Sequence, residues 1–151
     1  MASSLRFARL LQTIEQLGIP TGTVDDVDID RLAAMFAGRI DAERISLLEA
    51  LFRHANPFAR LVAVRAASRM QAFENRPVLE GVVACIEDAS PIVRCAAALA
   101  IATSGYRTPR VIEALRRAAD GTTPRDTVDA DDPAQRARVE AAGALARLTG
   151  A

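Results

Sequence analysis

The sequence predicts an all-α chain: one domain built as a short α-solenoid, a superhelix of stacked helix pairs with about eight helices. Three observations predict it. Three arginines, Arg60, Arg94 and Arg138, stand in register 34 and 44 residues apart, a period in the range of helix-pair repeats. Small or aliphatic residues recur at offsets +3, +4, +6 and +7 from each: Ala63, Val64, Ala66, Ala67; then Ala97, Ala98, Ala100, Ile101; then Ala141, Ala142, Ala144, Leu145. Offsets 3, 4 and 7 share one helix face, and small side chains there let another helix backbone approach closely. Finally, Pro57, Pro91 and Pro133 precede the three arginines, the last lying two residues further upstream, and His54, Asp88 and Asp132 stand six residues before them. Proline suits the first turn of a helix, where its missing N–H has no partner to lose. A preceding aspartate accepts from the free N–H groups and favours the positive helix end.

Taken in order, residues 1–53 read as an N-terminal cap and a degenerate repeat, and residues 54–148 as the repeats proper. A first helix is predicted over Ser4–Leu17, with Phe7, Leu10, Leu11, Ile14 and Leu17 in one stripe, ended by Gly18 and Pro20. It is expected to cap the open end of the stack. Asp26, Asp28 and Asp30 have calcium-loop spacing, but Arg31 stands where that loop needs glycine and Ala37 where it needs glutamate, so they read as acidic capping of the next helix. That helix is predicted over Asp28–Ala37, and the following one over Ala42–Arg53 behind an Asp41 cap. Repeat helices are predicted at Pro57–Met70, Pro77–Glu87, Pro91–Thr103, Pro109–Ala119 and Pro133–Leu148. Pro91–Thr103 is apolar nearly all round, as for a central helix covered on several sides. The polar insert 121–132 accounts for the longer spacing between the second and third arginines and is long for a loop in a compact domain. The last helix carries Arg136, Glu140, Gly143 and Arg147 along one line, expected to close the stack toward solvent or to form a homodimer or partner face.

Composition narrows the function. At 151 residues the chain has room for one domain with a real core. Half the residues are apolar, yet there are five phenylalanines, one tyrosine and no tryptophan, so the core is aliphatic and alanine-rich. Nineteen basic residues balance nineteen acidic ones, which argues against a general binder of nucleic acid or anionic membrane. Every basic residue is arginine; GC-rich coding is the plain explanation, selection for bidentate anion binding the sharper one. The first nine residues have no signal-peptide apolar run, and no stretch reaches the ~18 apolar residues that span a bilayer. A cytoplasmic protein without membrane or nucleic-acid partners is therefore expected. Cys85 and Cys95 have apolar neighbours and read as buried free thiols.

The run Asp88, Pro91, Val93, Arg94, Ala97, Ala98, Ala100, with Asp132 and Ala137–Leu145 as a further copy, resembles HEAT repeats, including the short HEAT-like repeats of phycobilisome-lyase-type proteins. The resemblance covers about residues 54–148 and implies a helix-pair solenoid. It also implies a structural ladder between neighbouring repeats, made here by Asp88, Asp132, Arg94 and Arg138. His54 departs from the pattern at the first copy. Among similar proteins are bilin lyases and DNA glycosylases. The second class needs aromatics that stack on bases in a basic groove, and here the aromatics fall mostly on inward stripes.

No chemistry is concentrated in the chain. His54, the sole histidine, ends a predicted helix, where a protonated imidazole would meet the last carbonyls. No cysteine–histidine cluster has zinc spacing, and the scattered glycines form no phosphate loop. The expectation is a non-catalytic protein–protein interaction scaffold or adaptor without metal or cofactor, as monomer or homodimer. The alternatives are a self-assembling structural module and, remotely, a bilin lyase-like chaperone. In such stacks the second helices usually line the concave face, which selects Arg53, Glu80, Arg107, Arg110, Glu113, Arg116 and Arg117 as partner-binding residues. Arg110, Arg116 and Arg117, with Arg107 near, are the dense basic cluster for an acidic segment or phosphate group.

The register is testable. Ala97→Leu should overpack a close helix contact and lower stability by about 1–3 kcal/mol in urea denaturation; an unchanged midpoint would refute the proposed helix faces.

Overall fold

The computed structural model describes residues 8, 9, 12, 13, 26–36, 39–123, 126 and 132–150. Seven helices are complete among them: α1 (Asp26–Phe36), α2 (Ala42–Phe52), α3 (Pro57–Met70), α4 (Arg76–Ile86), α5 (Pro91–Ser104), α6 (Pro109–Ala119) and α7 (Pro133–Thr149). A 3-10 turn, Ala72–Glu74, joins α3 to α4. No strand occurs among the described residues. The helix predicted over Ser4–Leu17 and most of the insert 121–132 lie outside them.

Local sequence explains the starts of α2 to α7. α3 to α7 all open with proline in the first turn. Asn56, Asn75, Thr108 and Asp132 precede four of them, and their side chains accept from free N–H groups of that turn, Val111 N donating to Thr108 Oγ1 at 3.2 Å, for example. Asp41 caps α2, accepting from Arg44 N at 2.8 Å, and this backbone donor holds its carboxyl below the usual carboxylate range. Gly105 ends α5 at φ 68°, a left-handed turn that favours glycine.

The helices sort into two layers. α1, α3, α5 and α7 lie side by side as the first-helix layer; α2, α4 and α6 form the second, each packed against its pair mate or the next repeat. The spacing-selected alanines make the seams. Ala63, Ala66, Ala67, Ala97, Ala98, Ala100, Ala141, Ala142 and Ala144 are all buried, with Val64 and Ile101. Leu61, Val62, Val78, Val82, Ile86, Val111 and Leu115 fill the space between layers, and no polar side chain is buried among the described residues.

α5 is covered on three sides. The helix is apolar nearly all round, but α3 and α7 flank it and α4 backs it, which leaves one side open. Ile92 and Leu99 on that side are 50% and 49% exposed.

The arginine ladder exists, but at one joint. Arg60 donates from Nε to Asp88 Oδ2 at 2.7 Å and from Nη2 to Asp88 Oδ1 at 2.9 Å, a bidentate pair between the first and second repeats. The Arg60 and Asp88 side chains are only 15% and 9% exposed, and the Asp88 contact pushes the guanidinium up from its ordinary value. Arg60 Nη1 also donates to the carbonyls of His54 and Ala55, and Arg94 Nη1 repeats this with those of Asp88 and Ala89. Arg60 and Arg94 thus each tie down the turn entering their own helix.

The rung expected between Arg94 and Asp132 does not form, and no ion pair among the described residues engages Arg138. The reason is register. Asp88 lies three residues before Pro91 and accepts from Ser90 N at 2.8 Å, which leaves its carboxylate turned toward Arg60. Asp132 lies directly before Pro133, becomes the N-cap of α7, and accepts from Ala134 N and Gln135 N at 3.0 and 3.1 Å. His54 takes part in the turn that follows α2. Its Nδ1 accepts from Asn56 N at 3.0 Å, so the ring serves the turn into α3 as Asp88 serves the turn into α5.

The two aspartates should therefore differ in weight. Asp88→Ala, which removes both carboxylate contacts of the mostly covered Arg60 guanidinium, should cost about 2–4 kcal/mol. Asp132→Ala, which removes a helix cap, should cost about 1 kcal/mol. Equal losses in chemical denaturation would refute the rung.

Candidate functional site

The second-helix layer offers an open cleft of about 470 Å³ between α2 and α4. Its floor is apolar: Phe52 from α2 against Pro77, Gly81 and Ala84 from α4. Gly81 is what permits this floor. A Cβ there would come within 2.6 Å of Phe52 Cγ, so the ring occupies the volume of the missing side chain. Glu49 and Arg53 from α2 and Arg76 and Glu80 from α4 form the charged rim.

Beyond the cleft, α4 and α6 are joined by ion pairs. Arg110 meets Glu80 near the N-terminal ends, and Arg117 meets Glu87 at the other. Arg117 also reaches Glu113 at 3.4 Å within α6, and the Glu87 contact pushes its guanidinium up from the ordinary value. All these pairs are solvent-exposed, where water and salt screen them.

The seven sequence-selected residues divide accordingly. Arg53, Arg107, Arg110, Glu113, Arg116 and Arg117 are exposed and Glu80 is partly so. Arg110 and Arg117 are engaged by glutamates rather than left open to an anion, which changes the reading of the basic cluster. Arg53 and Glu80 share the cleft rim. No ion pair among the described residues joins Arg107 or Arg116 to any of the others. Sequence reasoning missed Arg76, Gly81 and the placement of Phe52. A glycine inside an otherwise apolar helix was the available signal of close approach.

The first-helix layer carries a second groove of about 760 Å³ across α3, α5 and α7. Ile92, Leu99, Cys95 and Ala96 line it from α5, with Arg65 and Arg136 at its edges. Burial, then the Glu140 carboxylate, pushes the Cys95 thiol up. Cys95 is half-buried rather than buried, because it lies on the open side of α5. Cys85 is buried beside Asp88 and free, and burial pushes its thiol up to about 12. Neither thiol has the depressed pKa of a nucleophilic cysteine.

Two layers of antiparallel helix pairs repeating along the chain define an α-solenoid repeat protein. The profile of HEAT repeats matches residues 45–130, more than half the sequence. The chain belongs to the HEAT-repeat family. HEAT repeats generally mediate protein–protein interaction and are typically non-catalytic. No curated protein and no solved structure matches the chain. Among the described residues no helix is long and apolar enough to cross a membrane.

The cleft floor is testable. Gly81→Ala gains about 1 kcal/mol of helix propensity but must displace the Phe52 ring, so a net loss of about 1–2 kcal/mol is expected in thermal or chemical denaturation. A stabilised variant would refute the packing.

Proposed function

We propose that this chain is a non-catalytic, cytoplasmic scaffold or adaptor that binds another protein through its second-helix layer. The observation that carries the reading is the cleft between α2 and α4, an apolar floor within a charged rim, opening on a surface studded with arginine. An apolar centre with a polar edge is the anatomy of protein recognition sites. Arg53, Glu80, Arg107, Arg110, Glu113, Arg116 and Arg117 make up the proposed contact surface. Arg110 and Arg117, held by Glu80 and Glu87, position it.

A specific observation favours a second reading, self-assembly. Ile92 and Leu99 expose apolar surface in the groove of the first-helix layer, and burying them against another copy would make a homodimer.

One experiment separates the two. Tagged wild type and a folded Arg53→Glu/Arg107→Glu/Arg116→Glu variant are used to capture proteins from native lysate, and light scattering gives the mass of each. A protein held by wild type and lost by the variant, with the mass of one chain, is the expected result. No capture, together with a doubled mass that Leu99→Arg abolishes, would overturn the scaffold reading in favour of self-assembly.

A further inference from the structure

The ion pairs on the second-helix layer decide which charges remain available. Glu80 is met by Arg110, and Glu87 and Glu113 by Arg117. The cleft rim is then left with two arginines, Arg53 and Arg76, against one carboxylate, Glu49, that no ion pair among the described residues engages. A chain of zero net charge thus carries a locally cationic rim, because its glutamates are matched between α4 and α6 and not between α2 and α4.

Arg76 adds an independent argument. It is the first residue of α4, directly before Pro77 in the first turn. A cation there opposes the helix dipole, so helix stability gives no reason for it. Residues that break a local rule without structural compensation concentrate at functional surfaces. Arg53 stands at the other wall as the C-cap of α2, and the Phe52 ring lies between them on the floor.

We infer that the cleft between α2 and α4 binds an acidic peptide segment of the partner, with one apolar side chain seated on Phe52 and flanking carboxylates met by Arg53 and Arg76. The inference rests on the protein-binding reading and names the chemistry of the partner. The planar guanidinium groups suit bidentate carboxylate recognition. The floor made by Phe52, Pro77, Gly81 and Ala84 offers an apolar seat, set by the Phe52 ring packed over Gly81. The anion-binding arginines are then Arg53 and Arg76, and Arg110 serves to occupy the rim glutamate Glu80.

The test uses fluorescein-labelled peptides with a central phenylalanine flanked on both sides by glutamates, by lysines, or by serines. Fluorescence anisotropy is read for the full chain at low and at near-physiological salt. Saturable binding of the glutamate peptide alone, weakening with salt, is expected. Arg53→Glu/Arg76→Glu should weaken it by about tenfold or more, and Arg107→Glu/Arg116→Glu by less than about threefold. Circular dichroism confirms that both variants fold; the Arg76→Glu change places an acid at a helix N-terminus and favours folding. Replacing the phenylalanine by glycine should also abolish binding. Absent binding of the glutamate peptide, or equal loss in both double variants, would overturn the cleft assignment. If lysate capture still depends on the surface arginines in that case, protein binding stands and the cleft inference alone fails. If capture is absent as well, both fail.

Discussion

Everything in this fold depends on how closely the helices of the first layer approach one another. That approach is set by alanine. At Ala63, Ala67, Ala97, Ala98, Ala141 and Ala142 the side chains are too small to hold neighbouring backbones apart, and all are buried. An alanine seam contributes little hydrophobic free energy per residue, because each side chain removes little area from water. The compensation comes from the aliphatic filling between layers, Leu61, Val78, Ile86, Ile101 and Leu115, and from the good fit that close approach allows. With few aromatic anchors the core tolerates little change in volume at the seams.

Polar residues set the direction and register of the stack. Proline and its preceding cap start each repeat helix at a defined residue, and in α3 and α5 the repeat arginine fastens the turn that leads into it. Only between the first and second repeats does that arginine also reach the next repeat's aspartate. A shift of two residues in the position of proline is enough to turn the corresponding aspartate of α7 from a bridge into a cap. The same side chain thus serves cohesion between repeats in one copy and local helix stability in the other.

The legible part of the structure was that governed by short-range spacing. The alanine face, the proline starts and the Thr108 cap follow from offsets of one to seven residues, and the structure places them as the offsets require. Pairings across helices were not legible. Nothing near Arg110 or Arg117 in the chain shows that Glu80 and Glu87, thirty residues away, will neutralise them. The exposure of Ile92 and Leu99 was hidden for a related reason: a helix that is apolar all round does not reveal which side lacks a neighbour. The shift at Asp132 was visible, since Pro133 follows it directly, but its meaning depended on knowing where the Asp88 carboxylate points. In the candidate site, Arg53 and Glu80 were within reach of sequence reasoning, while Arg76 and the floor made by Phe52 on Gly81 required the packing of α2 against α4.

The exposed pairs between α4 and α6 have a consequence for sliding. Along α6 the charges alternate, Arg110, Glu113, Arg117, at intervals of about one turn, while α4 presents Glu80 and Glu87 two turns apart. Move α6 along its neighbour by one turn and Glu113 comes to stand against Glu80 or Glu87, like charge against like. The stripe behaves as a vernier with one matching position. Contacts too exposed to hold the repeats together strongly still disfavour the neighbouring alignments of α6 along α4.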